Sequence, residues 1–253
     1  TTINGKIIEE SYEKLLDKEF YTNILGWSEE VWNFEPLKEK KAPVLRNGDP
    51  NRIGLLQLKE ISTVEELQAI KNDLSGVYVL TADIDVSQVT SGTTIIPGNF
   101  SGLKKGNGHR ITGQKLPLFD TISGGTVEGI TLSDGKINRP SDEVVAALAK
   151  TAWERSIIQD VYVRNMVIKG RNKVGGLIGH LDKSTAIGCS VVAQVDGKEA
   201  GGFISNIMNE SIVKDCYAQR TTDPKTFGDE TDKQGGFVAK MNRSTVTNTY
   251  AEL

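Results

Sequence analysis

The sequence is poor in the residues that most site chemistry needs. Only two histidines and two cysteines occur in 253 residues. His109 is followed by Arg110 and His180 by Leu181, so a helical His-Glu-x-x-His zinc site cannot be formed. Cys189 and Cys216 stand 27 positions apart, which excludes a Cys-x-x-Cys knuckle or redox pair. Charge of one sign is scarce as well. Thirty basic residues against 33 acidic ones leave a net charge of -3, and no basic run is long enough to track a phosphate backbone, which argues against nucleic acid as a partner. The longest apolar run, at 144–149, has six residues, whereas a membrane span needs about 20. No membrane insertion is expected. The opening Thr1-Thr2-Ile3, without an initiator Met or a charged-then-apolar leader, suggests part of a longer polypeptide.

What the sequence does contain is repetition. Three clear copies begin with a glycine pair: VGGLIGHLDKSTAIGCSVV from Val174, AGGFISNIMNESIVKDCYA from Ala200 and QGGFVAKMNRSTVTNTYA from Gln234. Two degenerate copies precede them, from Leu116 and Val145. The leading apolar residue falls at Leu118, Leu148, Leu177, Phe203 and Phe237, with steps of 30, 29, 26 and 34. Four residues on come Ile122, Ala152, Leu181, Ile207 and Met241. Nine or ten residues after each leading position comes a β-branched residue: Val127, Ile158, Ile187, Val213 and Val246. Fixed spacing within a unit and variable spacing between units is what coils with loops at one corner produce.

Each copy carries short β-branched or aromatic runs bounded by Gly, Asn, Asp and Ser, with no room for ten-residue helices. The expected fold is all-β: a right-handed parallel β-helix, one coil per copy, with equivalent residues stacked about 4.8 Å apart and the apolar positions filling the tube. Gly175, Gly176, Gly201, Gly202, Gly235 and Gly236 are expected to line one corner. Upstream, Thr63 and Glu66 form a capping-box signature before Val64, Leu67 and Ile70, predicting a capping helix near 63–72. An alternating strand follows over 77–86, and Gly106-Asn107-Gly108 marks a tight turn into another. No second cap is evident after the last repeat.

Residues 1–50 form a small mixed N-terminal segment without repeats, flanking a solenoid over 51–253. This segment holds ten acids against seven bases and six of the 16 aromatics. Tyr12, Leu15, Leu16, Glu19 and Phe20 suggest a short amphipathic helix, and 42–51 an extended connection.

The Gly176-Leu177-Ile178-Gly179 core, with the upstream blocks STVEELQAI, YVLTADIDV and GNGHRITG, resembles the GLUG-type repeat region of the immunoglobulin A specific zinc metallopeptidases of Gram-positive bacteria. The likeness covers residues 55–253. It implies a noncatalytic part of a large, exported, cell-wall-held peptidase, with zinc in a catalytic domain C-terminal of the repeats. It implies as partners the immunoglobulin substrate or the parent's own catalytic domain. One departure is that residues 25–46 resemble a segment that would close such a region, yet here they precede it.

Several residues admit a sharper reading beside a plainer one. Asp83 and Asp85 alternate along a strand, as paired carboxylates of a polysaccharide-acting β-helix enzyme would; turn-capping aspartates are the plainer reading, since no base neighbours them in sequence. His109 and His180 read as turn or surface histidines without local partners. The cysteines sit at different offsets, Ile187-Gly-Cys189 against Val213-Lys-Asp-Cys216, which predicts opposite facings and no disulfide. Trp27 and Trp32 could anchor a protein partner, or form a small core with Phe20, Tyr21 and Phe34. Phe227 lies in the longest insertion, 220–234, a loop that could touch a partner. The functional expectation is a binding and scaffolding module with no catalytic, metal or cofactor residues of its own; the alternatives are a surface adhesin module or a polysaccharide-acting enzyme.

Overall fold

The computed structural model describes residues 58–221 and 233–252, with short stretches of the first 45: 2–3, 6–7, 16–24, 29, 32–39 and 44–45. Contacts divide the chain into two units, Thr1–Lys59 and Glu60–Leu253. In the first, Thr2–Ile3 pairs antiparallel with Lys6–Ile7, and Trp32–Asn33 with Val44–Leu45. Residues 18–19 are helical and run into a π-helical turn, Phe20–Ile24; the earlier part of the expected short amphipathic helix, with Tyr12 and Leu15, lies outside the described residues. Phe20 meets Tyr21 edge-on at 5.2 Å, and Tyr21 lies 5.9 Å from Phe34, all three buried.

The second unit is a right-handed parallel β-helix. Its first face stacks Leu58–Ile61, Val77–Leu80, Leu103–Lys105, Thr126–Glu128, Ile157–Gln159, Thr185–Ile187, Ile212–Lys214 and Thr245–Thr247. The second face runs from Ile84–Asp85 through Arg110–Thr112, Thr131–Ser133, Tyr162–Gly170, Ser190–Asp196 and Tyr217–Arg220 to Tyr250–Glu252. The third runs from Ile96–Phe100 through Phe119–Ser123, Ala149–Trp153, Ile178–Asp182 and Ile204–Met208 to Val238–Met241. The later coils add a short fourth ladder of Val144–Ala146, Lys173–Gly175, Glu199–Gly201 and Lys233–Gly235.

The leading apolar positions stand in single file. Leu148 N–H donates to Leu177 O, Leu177 N–H to Phe203 O and Phe203 N–H to Phe237 O, at 2.8–3.0 Å. Leu148, Leu177 and Phe203 are fully buried, and the Phe203 and Phe237 rings stack at 4.7 Å. A second file, Ile122, Ala152, Leu181, Ile207 and Met241, is paired residue for residue across the third face. Burial of these side chains between adjacent rungs is the driving force for stacking, and the parallel ladders fix its register.

The third file departs from the expectation at one place. Ala186, not Ile187, pairs with Ile158 and Val213. Ile187 faces outward beside Gln159 and Lys214. The file spacing is nine residues where the corner holds one residue with positive φ (Gly124, Lys183 or Arg243), and ten where it holds two (Glu154 and Arg155, or Asn209 and Glu210). Corner geometry therefore sets the phase, and a small alanine fills the inward position that the preference for a β-branched residue had given to its neighbour. The strand expected over 77–86 also breaks, into Val77–Leu80 and Ile84–Asp85, because the chain turns a corner between them.

The glycine pairs lie at one corner as expected, and close approach explains them. A Cβ on Gly201 would stand 1.9 Å from Ile204 O, and one on Gly202 2.0 Å from the Gly236 carbonyl of the next rung. A column of buried serines crosses another corner: Ser156 N–H donates to Ser184 Oγ (3.1 Å) and Ser184 N–H to Ser211 Oγ (3.3 Å). These hydroxyls in turn donate to turn carbonyls, Ser184 to Asp182 O and Ser211 to Met208 O, so no backbone group is stranded there.

Helix α1 (Val64–Ala69) begins at Thr63, whose hydroxyl accepts from Glu66 N–H at 3.2 Å while the Glu66 carboxylate accepts the Thr63 N–H. Its Leu67, with Ile70 of the next turn, is fully buried in the solenoid core against Ile96–Phe100. Leu177→Asp should place an unpaired carboxylate inside the tube and destabilise the solenoid by more than about 4 kcal/mol. Neighbouring rungs should melt together with it in circular dichroism; a melt like the parent's would show that Leu177 does not face the core.

Candidate functional site

Of the three residues singled out for partner contact, Trp27 and Phe227 lie outside the described residues. Trp32 is placed in a two-residue strand opposite Leu45. An open hollow of about 460 Å³ in the first unit is lined by Leu16, Phe34 and Leu37 with the ion pairs Lys18–Glu29 and Lys38–Glu35, each at 2.7 Å. The ends of the 220–234 insertion are clamped together. Arg220 donates to Val195 O at 2.8 Å and to Gln234 Oε1, and Gln234 Nε2 donates to Gly197 O at 2.7 Å.

Asp83 and Asp85 each have partners in the fold. Asp83 Oδ1 accepts the Arg110 backbone N–H at 3.0 Å and meets His109 Nδ1 at 3.2 Å, while Arg110 Nε lies 3.2 Å from Oδ2. The Arg110 N–H, foremost, holds the Asp83 carboxyl below its usual range, the wrong direction for a general acid at neutral pH. Asp85 Oδ1 is taken up by Ser87 N–H at 2.9 Å. No partner stands beside Asp83 or His109 in sequence; the fold brings the two together across 26 residues. His180 projects from the third face between Thr151 and Asn206, with its pKa lowered chiefly by burial.

The cysteines are also corrected. With Ala186 beneath Val213, Cys189 and Cys216 each follow the third file by three residues, and Tyr217 N–H donates to Cys189 O at 3.0 Å. They therefore occupy equivalent inward places on consecutive rungs rather than opposite faces. Both are buried free thiols, and burial pushes the Cys189 thiol up.

One buried group carried no signal in the pattern. Lys104 pairs with Tyr78 on one side and Val127 on the other, inside the third file, and its Nζ is fully buried without a hydrogen-bond partner. Burial lowers its pKa from 10.5 to about 7. On the outer surface, Ile157 and Ile212 flank Thr185 in one column of the first face, at 42% and 45% exposure. On the second face, the Arg164 guanidinium sits 5.5 Å over the Tyr162 ring, and Tyr217 stacks on Tyr250 at 5.8 Å. The sequence hint to these columns was their place beside the inward residues, one step along a strand whose facing alternates.

Among the described residues no group of three His, Cys, Asp or Glu could hold a metal. A zinc site needs three or four such ligands, so these residues do not fit the ion and no step is assigned through it. No described helix is long and apolar enough to cross a membrane.

Because Lys104 binds its proton less tightly folded than unfolded, folding stability rises with pH between about 7 and 10.5 and carries the full cost below pH 7. That cost is on the order of 5 kcal/mol. Lys104→Met should therefore raise stability by a few kcal/mol at pH 6–7 and by progressively less towards pH 10, measured by urea unfolding. A gain that is the same at every pH would contradict a buried, titrating amine.

The comparisons agree with the outline. Residues 62–165 match the model of the M26 IgA1-specific metallo-endopeptidase N-terminal region. The chain is 30% identical over 201 residues to an immunoglobulin A1 protease of Streptococcus sanguinis, covering 74% of this chain and 11% of that protein. It is 32% identical over 157 residues to the zinc metalloprotease ZmpC of Streptococcus pneumoniae serotype 4, covering 56% of this chain and 8% of that one. A solved structure described as an IgA1 protease superposes with a TM-score of 0.65 at 22% identity, over 83% of this chain and 17% of the other, a likeness that bears on the fold. The chain thus spans about a tenth of the length of the curated relatives it matches. The resemblance read from the glycine core and its upstream blocks is shown: residues 62–165 match the N-terminal region of the M26 IgA1-specific metallo-endopeptidases, and the chain is similar to immunoglobulin A1 proteases over 74% of its length.

Proposed function

We propose that this chain is a noncatalytic solenoid region of an exported, cell-wall-held zinc metalloendopeptidase that cleaves immunoglobulin A1, and that it positions the immunoglobulin or braces the catalytic domain. The family match supports the context. The observation that supports the role is the set of parallel ladders, which lines up outward side chains in columns along the tube. Zinc belongs in this reading to another part of the parent. Residues 1–50 are taken as a flanking segment beside the solenoid of 51–253.

A stack of short parallel strands suits such a role. Each strand sends alternate side chains outward, so the columns Ile157, Thr185 and Ile212, and Tyr162, Ser190, Tyr217 and Tyr250, present one group per rung. Trp27, Trp32 and Phe227 are further candidates for partner contact.

Incubation of the purified chain with immunoglobulin A1 should yield no fragments on a denaturing gel, while immobilised immunoglobulin A1 or separately produced catalytic domain should retain it. Cleavage by the chain alone would overturn the noncatalytic reading. Retention by neither would overturn the positioning role.

A further inference from the structure

The first face sends two columns of side chains outward, one on either side of its inward file. One column reads Leu103, Thr126, Ile157, Thr185, Ile212 and Thr245, each paired with the next. Aliphatic and threonine side chains therefore alternate rung by rung. Because isoleucine or leucine reaches one carbon further than threonine, the column is a row of knobs about 9.6 Å apart with a hollow between each pair. Ile157 and Ile212 are exposed, and Trp153, 40% exposed, stands at the corner before Ile157. Apolar side chains grouped in this way on a sheet surface mark a contact with another molecule. The other column reads Lys105, Glu128, Gln159, Ile187 and Lys214.

This surface is complementary to itself. A two-fold axis in the plane of the face, parallel to its strands and midway between the rungs of Ile157 and Thr185, lays each column on its own copy with the rung order reversed. Ile157 then meets Thr185 of the second copy, Ile212 meets Thr126 and Leu103 meets Thr245, so every knob enters a hollow. In the other column Gln159 meets Ile187, and Glu128 meets Lys214, opposite in charge. An axis through a rung would set Ile157 on Ile212, knob on knob. An axis moved by one rung keeps the hollows filled but separates Glu128 from Lys214. Shape therefore restricts the register, and charge selects one.

We propose that the first face is a self-association surface, on which a second copy of this chain packs face to face with its rungs in the opposite order. The second copy is the occupant because the alternation of aliphatic and threonine and the placing of Glu128 against Lys214 are each matched by the same face turned over. Six rungs of three residues make a strip about 24 Å by 10 Å. That is well below the roughly 800 Å² that each partner buries in a stable dimer, so the pairing is weak and depends on concentration. The inference does not rest on the immunoglobulin reading. It uses the first face alone and leaves the second-face column of Tyr162, Ser190 and Tyr217 uncovered.

Sedimentation equilibrium of the full chain between about 10 μM and 1 mM should show monomer and dimer in exchange. Thr185→Arg fills a hollow from an outward position, so it should melt with the parent and raise the dimer Kd by about tenfold or more. A short bismaleimide should join two copies of Thr185→Cys, whose thiols lie one rung apart across the axis. It should not join two copies of Leu103→Cys, held about 24 Å apart along the tube. The parent, with both cysteines buried, is the control. A monomer at every concentration would overturn the proposal. So would a dimer that Thr185→Arg leaves intact, or one that is joined through Leu103→Cys and not through Thr185→Cys.

Discussion

The structure depends on one interaction repeated along an axis: a rung of chain laid on the rung before it, its backbone paired in parallel and its inward side chains packed on their counterparts. Parallel pairing brings equivalent residues together, so a sequence that repeats its apolar positions builds continuous files. Leu148, Leu177, Phe203 and Phe237 are one such file, and the stacked phenyl rings of the last two show how strictly register is kept. Everything else accommodates that stacking. Glycine pairs let backbones approach at a corner, left-handed residues take up the difference in corner length, and buried serine hydroxyls carry hydrogen bonds from rung to rung.

Much of this was legible because the period-two alternation of a strand and the fixed spacing within a copy are properties of sequence. The files beginning at Leu118 and Ile122, the glycine corner, the turn at Asn107 and the capping box at Thr63 all follow from residue type and spacing alone. Phase was harder to read. Ile187 was the more strand-like residue, but the corner before it has one left-handed residue, Lys183, rather than two, and so Ala186 points inward. The same slip of one residue misplaced Cys189 relative to Cys216. A serine directly before three successive first-face strands, Ser156, Ser184 and Ser211, was present in the sequence and pointed to the hydroxyl column.

Contacts between coils were the least legible. The contacts of Asp83 with His109 and Arg110 join residues a full coil apart, and nothing local announces them. Lys104 is the sharper case, since a lysine within a strand reads as an outward residue. Its neighbours in the file, Tyr78 and Val127, place it inside, where it resists protonation. Such a group weakens the first coils relative to an apolar residue of similar size. On the functional side, repetition lines up outward side chains in columns along the tube, and the proposed partner-holding role uses these columns without a reacting side chain.

The most direct test of the stacked-rung account is nuclear Overhauser contact in the chain labelled at Leu methyl and Phe ring positions. The account predicts cross-peaks between Leu148 and Leu177, between Leu177 and Phe203, and between Phe203 and Phe237, with none between Leu148 and Phe203, two rungs apart. Contacts that skip a rung, or none between Leu177 and Phe203, would contradict it.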